Sequence, residues 1–394
     1  MRKIAILGLF IFSLGIPSLK GQGLIDTSAQ LNIWYQEASS LMENFQFDPA
    51  LERLTSCYRY DSENQDYLLK IAYCHQQMGR YRDAKLYYGE VLKVDSNQLR
   101  AINALASIAT RQANHRQAQI YFQQLISIDS TNGYYFKQAA YNAVRRGAIL
   151  DAAHLFLEAL NRNPEDMESI DQLADIYIAL DDLKSAQQIV DNGLNLDQKN
   201  LKLLYNRARI YQKQQNHEGV VETLRSTLEQ GDTTDYYQMM IGVAFLRLDS
   251  LDQGIFHLEQ VVNREKADDK TYHYLGLGYF RKDSIGRSKS YFELAIAAGT
   301  APRMYAYQGD LGLLYDKKKQ LRKAIEHYKK SVEARPVPEY IFHLAHASDR
   351  YYKDKRIALE RYQEYFRTED KKYRNFTAQR IEQLKEHLHF QLGN

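Results

Sequence analysis

The sequence predicts an all-α protein built as an α-solenoid, a stack of about ten helix pairs closed by a C-terminal helix. Three observations carry that expectation. Small residues recur at intervals of 34: Ala50, Ala84, Ala118, Ala152 and Ala186, then Val220, Gly254 and Ser288, and, after a two-residue insertion, Ala324 and Ala358. A second small series runs twelve residues ahead of the first, as Ala38, Ala72, Ala106, Ala140, Ala174, Ala208, Gly242, Gly276 and Gly312, and breaks at His346. Large apolar residues follow the first series four and eight positions later, as in Phe122 and Ile126 or Phe156 and Leu160. The composition agrees, since six prolines and twenty glycines in 394 residues are few for long linkers or an all-β chain.

The elements follow in order. The repeats run 31–64, 65–98, 99–132, 133–166, 167–200, 201–234, 235–268, 269–302, 305–338 and 339–372. Each has room for two helices of about four turns, roughly 20 Å long. Small residues at positions 8 and 20 let the two backbones approach. The large residues four apart lie on one face of the second helix. One pair cannot cover that face, so it is buried against the next pair. Asp61-Ser62, Asp95-Ser96 and Asp129-Ser130 fall at repeat boundaries, where turn formers belong. The insertion within 299–305 is either a hinge between eight repeats and two or a slightly longer connection. In 373–394, Phe376, Ile381, Leu384 and Leu388 have helical spacing, which predicts a capping helix.

On this period and these position classes the chain resembles the tetratricopeptide-repeat family over residues 31–372. The resemblance implies a right-handed superhelix of helix-turn-helix repeats, with positions 2, 5, 9, 12 and 13 facing a concave groove. Departures are Glu37 and Arg207 at the usually apolar seventh position, and His346 at the eighth. The family's proline near the end of the repeat survives as Pro164 and Pro336. The expected organisation is a signal peptide over 1–23, eight repeats in 24–302, two in 303–372 and the cap in 373–394.

The signal peptide is read from Arg2 and Lys3, the apolar run Ala5–Ile16 ended by Pro17, and small residues before a cleavage after Gly23. An uncleaved anchor is the alternative. Export to a periplasm or beyond the cell is the expectation. Removing Arg2, Lys3 and Lys20 leaves 49 basic and 49 acidic residues, a balance that argues against nucleic acid. No other stretch is long and apolar enough to suggest a membrane span. The charge is uneven, because residues 317–374 hold seventeen Lys and Arg against nine Asp and Glu. Cys57 and Cys74 either pair in an oxidising compartment or stay as buried thiols.

Function is expected on the concave positions. Tyr35, Tyr73, Tyr134, Tyr141, Tyr205 and Tyr236 fall there, and tyrosine gives large contact area with few rotors to freeze. The chain is tyrosine-rich throughout, so general composition is the competing explanation. Position 13 carries a basic row, Arg111, Arg145, Lys213, Arg247, Arg281 and Lys317, suited to an acidic partner. The same row is explained by the helix dipole, which favours a cation in the last turn. Within the family a Lys at position 5 and an Asn at position 9 hold a partner's terminal carboxylate. No Asn stands at position 9 here.

Catalytic patterns are wanting. Cys74-His75 points its side chains in different directions on a helix and has no further ligands nearby. Glu339, His343 and His346 share a helical face that can bind a metal, but a polar last repeat accounts for His346 more simply. No phosphate loop or nucleophile elbow appears. The expectation is a non-enzymatic scaffold without cofactor or bound metal. It binds a protein or peptide segment in an envelope or secretion complex. The alternative is a glycan-binding envelope protein using the groove tyrosines.

Overall fold

Among the described residues the chain forms twenty-one α-helices and one short 3-10 helix, and no strand. The structure, a computed structural model, describes residues 27–229 and 234–392. The leader-like segment 1–23 lies outside them. Residues up to Ser169 belong to one compact body and those from Ile170 to a second. The first contains α1 (Thr27–Glu43), α2 (Phe47–Tyr60), α3 (Gln65–Gln77), α4 (Tyr81–Val94), α5 (Leu99–Arg111), α6 (His115–Ile128), α7 (Gly133–Arg145) and α8 (Ile149–Arg162). It also takes the start of α9 (Met167–Ala179). The second continues with α10 (Leu183–Leu196), α11 (Leu201–Lys213), α12 (His217–Glu229), α13 (Asp235–Arg247), α14 (Leu251–Asn263), α15 (Asp269–Arg281) and α16 (Ile285–Ala298). It ends with α17 (Met304–Lys317), α18 (Leu321–Ala334), α19 (Pro338–Tyr351), α20 (Lys355–Phe366) and α21 (Arg374–Leu392). Each predicted repeat is one odd-numbered helix followed by one even-numbered helix. The insertion becomes a 3-10 turn, Ala301–Arg303, leading into α17.

The small series sit where the two helices of a repeat cross. Ala38, Ala72, Ala106, Ala140, Ala174 and Ala208 are fully buried, as are Ala50, Ala84, Ala118, Ala152 and Ala186. Further along the chain position 8 shrinks to glycine, and the side chain at position 24 closes onto it. A Cβ on Gly276 would lie 2.5 Å from the Phe292 ring, and one on Gly312 2.6 Å from Tyr328. At the same crossing Ser288 donates its hydroxyl to the Gly276 carbonyl at 2.8 Å. The faces turned away from these crossings bury neighbouring repeats against each other. Tyr88 and Val91 of α4 pack with Ala101, Leu105 and Ile108 of α5. Val220 and Leu224 of α12 pack with Met240, Ile241 and Ala244 of α13.

One turn geometry joins the helices within a repeat. Position 15 takes positive φ at Phe45, Gly79, Ala113, Gly147, Asp181, Gln215, Asp249, Asp283 and Lys319. The next amide reaches back five residues, as in Arg80 N to His75 O, Asn114 N to Ala109 O and Ser250 N to Phe245 O, each at 2.9 Å. This is the Schellman closure of a helix C-terminus. Only two of the nine turns use glycine, although a left-handed residue with a Cβ costs about 1–2 kcal/mol. Between repeats, Asp95 and Asp129 accept from the backbone two residues on at 3.0 and 3.1 Å. Asn64 and Asn132 then cap the next helix, each at 3.1 Å.

The last repeat departs from the register. Toward α18, α19 buries Tyr340, Leu344 and Ala347. Toward α20 it buries Ile341, Phe342 and Ala345 against Ala358. Counted from the start at 339, each of these lies one position earlier than its counterpart elsewhere. The connection 335–337 before α19 is one residue shorter than in the first repeats, and α19 itself is one residue longer than α3 or α5. The two changes cancel in the 34-residue period. Ala345 therefore takes the small position, and His346 is displaced to lie flat on Phe342, ring centroids 5.9 Å apart. The cap forms as expected: Ile381 and Leu384 of α21 are buried against α20, while Phe376 stays 47% exposed.

A ring stack braces several repeats between position 11 of the first helix and position 23 of the second. His75 lies on Tyr87 at 5.3 Å, Phe245 on His257 at 5.5 Å, Tyr279 on Tyr291 at 5.6 Å and Tyr315 on His327 at 5.2 Å. The interplanar angles are 9°, 11°, 3° and 12°. Gln238 and Gln308 each bond the Nδ1 of the stacked histidine at 2.8 Å, His257 and His327 respectively. Burial holds both imidazoles below their ordinary pKa.

Two outcomes follow for stability. The unfolded chain takes up protons at His257 and His327 near pH 6.5 that the folded chain refuses. Their contribution is full above that pH and is lost as pH falls below it. The urea midpoint should therefore drop between about pH 7 and pH 5, and His327→Phe should flatten the slope. Glycine substitutions should split in sign. A Cβ on Gly309 collides with the buried Tyr340 ring, so Gly309→Ala should cost about 1–3 kcal/mol. Nothing lies within 4 Å of a Cβ on Gly89, so Gly89→Ala in α4 should raise stability by about 0.5–1 kcal/mol in the same denaturation assay.

Candidate partner-binding surface

Positions 2, 5, 6, 9 and 12 of successive first helices line a hollow of about 490 Å³ in the N-terminal body. α3 contributes Asp66, Lys70 and Tyr73, α5 contributes Arg100, Asn103 and Ser107, and Tyr134 projects from α7. Tyr73 and Tyr134 are 41% and 47% exposed, so each offers ring surface to an occupant. Tyr88 forms part of the wall and donates to Gln76 at 2.9 Å. The lining combines aromatic area, two cations, one acid and two amides. No catalytic pair is assembled in it.

The other predicted tyrosines have different surroundings. Tyr35 donates to Asp66 at 2.5 Å, and the Lys70 ammonium sits 4.8 Å from its ring centre. Burial, then the bond to Asp66, push its pKa to about 12. Tyr35 thus orients an acid of the hollow. Tyr141 stands edge-on to Phe156 at 5.3 Å and donates to Glu168 at 2.6 Å. That hydrogen bond, with one from Lys137, holds the Glu168 carboxyl below its ordinary range. In the C-terminal body Tyr205 packs edge-on to Tyr236 at 5.6 Å, and the Arg209 guanidinium lies 5.4 Å from its ring centre. Burial and the neighbouring Tyr236 raise its pKa. Tyr236 keeps 43% of its surface exposed.

The basic row divides in two. Lys213 pairs with Asp181 at 2.8 Å, Arg281 with Asp249 at 2.6 Å and Lys317 with Asp283 at 2.7 Å. Each aspartate is the left-handed turn residue of the preceding repeat. These three cations clasp neighbouring repeats. Before Arg111, Arg145 and Arg247 that turn residue is Gly79, Ala113 or Gln215, and none of the three arginines has an acidic partner among the described residues.

Reasoning from the sequence missed Asp66, Lys70, Arg100 and Asn103. All but Lys70 stand at positions 2 or 5, so reading every residue type at those positions in adjacent repeats would have found them. Among the described residues no group of three His, Cys, Asp or Glu side chains can hold a metal. Glu339 is paired with Lys372 at 2.7 Å, and His343 stacks on Tyr328 at 5.8 Å. Cys57 and Cys74 are separate buried thiols, and burial raises Cys74 to about 11. No helix of the described residues is long and apolar enough to cross a membrane.

A double-mutant cycle on Arg281→Ala and Asp249→Ala should give a coupling of about 0.2–1 kcal/mol in urea titrations, shrinking in about 1 M salt. Arg111→Ala should change stability by less than about 0.5 kcal/mol.

The tetratricopeptide-repeat family model matches residues 65–98, 99–132 and 305–338, in the same phase as the helix pairs α3–α4, α5–α6 and α17–α18. A comparison with curated proteins finds no match. Among solved structures, that of the APC/C hetero-tetramer Cut9-Hcn1 is 12% identical and covers 89% of this chain and 76% of that one, with a TM-score of 0.50. YrrB, a TPR protein with an unusual peptide-binding site, is 19% identical and covers 48% of this chain and 97% of its own, at a TM-score of 0.41. A tetratricopeptide repeat protein from Parabacteroides merdae is 13% identical and covers 73% of this chain and 99% of its own, at 0.36. Three repeats of the chain match the tetratricopeptide-repeat model, and the helix-turn-helix fold of such repeats extends over most of its length.

Proposed function

We propose that the chain is a non-catalytic scaffold that holds a protein or peptide segment along the faces of its first helices. The hollow of the N-terminal body carries this reading, because it brings Tyr73 and Tyr134 together with Lys70, Arg100 and Asn103. Rings supply contact area at low entropic cost, and the polar groups fix orientation. The unpaired Arg111 and Arg145 lie one helical turn beyond Ser107 and Tyr141 on α5 and α7, so they extend the same faces with positive charge. Lys213, Arg281 and Lys317 belong to the framework in this reading.

The leader-like sequence 1–23 supports export to a periplasm or beyond the cell, and with it a place in assembling an envelope or secretion complex. A glycan ligand draws on the same exposed rings, since sugars stack on aromatic faces.

Site-specific photo-crosslinkers at positions 73 and 134, used in the native host, test this. The expected result is a trapped exported protein, with capture and affinity falling about tenfold on Tyr73→Ala or Tyr134→Ala. Sugar binding lost on the same substitutions, with no protein trapped, would favour the glycan. Trapping of cytosolic proteins alone would overturn the export reading.

A further inference from the structure

The three clasped cations show what the position-13 site accepts. In each case an aspartate carboxylate reaches the cation from the left-handed turn before it, at 2.6–2.8 Å. Before Arg247 the turn residue is Gln215. Its φ of 58° nearly matches the 62° of Asp249, so the side chain leaves the backbone in a similar direction. It ends in an amide and carries no charge. At this place a hollow of about 440 Å³ opens, with Gln212, Gln215, Val243, Arg247 and Tyr274 among its lining. Asp249, two residues beyond Arg247, is already held by Arg281 at 2.6 Å. Arg247 therefore faces an open hollow and, among the described residues, has no acid of its own.

We infer that this hollow is a carboxylate receptor: an acidic group of the ligand sits on Arg247 where the neighbouring turns place an aspartate. The guanidinium fork matches a carboxylate. Two glutamine amides and a tyrosine hydroxyl stand in the same lining and can donate to its remaining lone pairs. Arg111 and Arg145 also lack the turn aspartate, but Gly79 and Ala113 bring no donor beside them. The inference rests on the scaffold reading and sharpens it. The partner carries an acidic side chain or a free C-terminus that docks on the C-terminal body.

The test uses the full chain and an array of labelled decapeptides in pairs that differ only by Glu against Gln, with succinate as a competitor. Glu peptides should bind about tenfold more tightly than their Gln twins. Arg247→Gln should erase the preference. Gln215→Asp should erase it too, because the chain then supplies its own carboxylate, and it should do so with an unchanged or higher Tm. Lys317→Gln, at a clasped site, should leave the preference intact. Competition by succinate at concentrations matching the peptides would assign the site to a free small acid, and weak competition would assign it to a peptide. Equal binding of the twins, or a preference that survives Gln215→Asp, overturns the inference. If the twins bind equally while Tyr73→Ala still weakens both, the groove reading stands alone. If no peptide is held, both readings fall.

Discussion

The contact between position 8 and position 20 sets the distance between the two helices of every repeat, and the other features take their places from it. Where both residues are alanine, as at Ala72 and Ala84, the backbones approach with no side chain between them. At Gly276 and Gly312 the first helix lacks even the methyl, and the rings of Phe292 and Tyr328 at position 24 lie against the bare backbone. Fixing this distance fixes which residues meet at the next layer. The 11–23 ring stacks need it, since a ring laid flat on a ring tolerates little change in separation.

The turn at position 15 is the second constraint, and it links packing to electrostatics. Schellman closure forces a left-handed residue at the tip. Aspartate there serves two ends, because its short polar side chain tolerates that conformation and its carboxylate reaches the cation of the following repeat. Each such clasp is solvent-exposed and individually weak. Its larger effect is on the surface, since it removes a positive charge that a partner would otherwise meet. Turns built from Gly79, Ala113 or Gln215 leave that charge free. The pattern of free and clasped cations is thus written in turn residues rather than in the basic residues themselves.

Much of the fold was legible because a period of 34 is a property of sequence alone. The small series at positions 8 and 20 marked every crossing but one, and the cap was visible in Ile381 and Leu384. The miss at His346 has a clear cause. A residue removed before α19 and another added within it preserve the period while moving the phase, and a count of intervals cannot see that. The candidate surface was less legible. Position numbers place a side chain on a face but do not say whether a neighbour has already engaged it, as Asp66 engages Tyr35 and Glu168 engages Tyr141. The basic row hid its own division for the same reason, since Lys213, Arg281 and Lys317 are paired with aspartates. Their partners lie more than thirty residues away in the chain, in turns that did not look like sites.

The shift of phase at α19 also bears on how such a protein can be rebuilt. Repeat arrays invite cut-and-paste engineering, in which modules of equal length are duplicated, deleted or exchanged. Length is no guide at this joint. A standard module spliced in after Ala334 would present its ridges one residue out of step with α20. The connector 335–337, α19 and α20 form a single indivisible cassette, and the terminus of the array can be transplanted only as that whole.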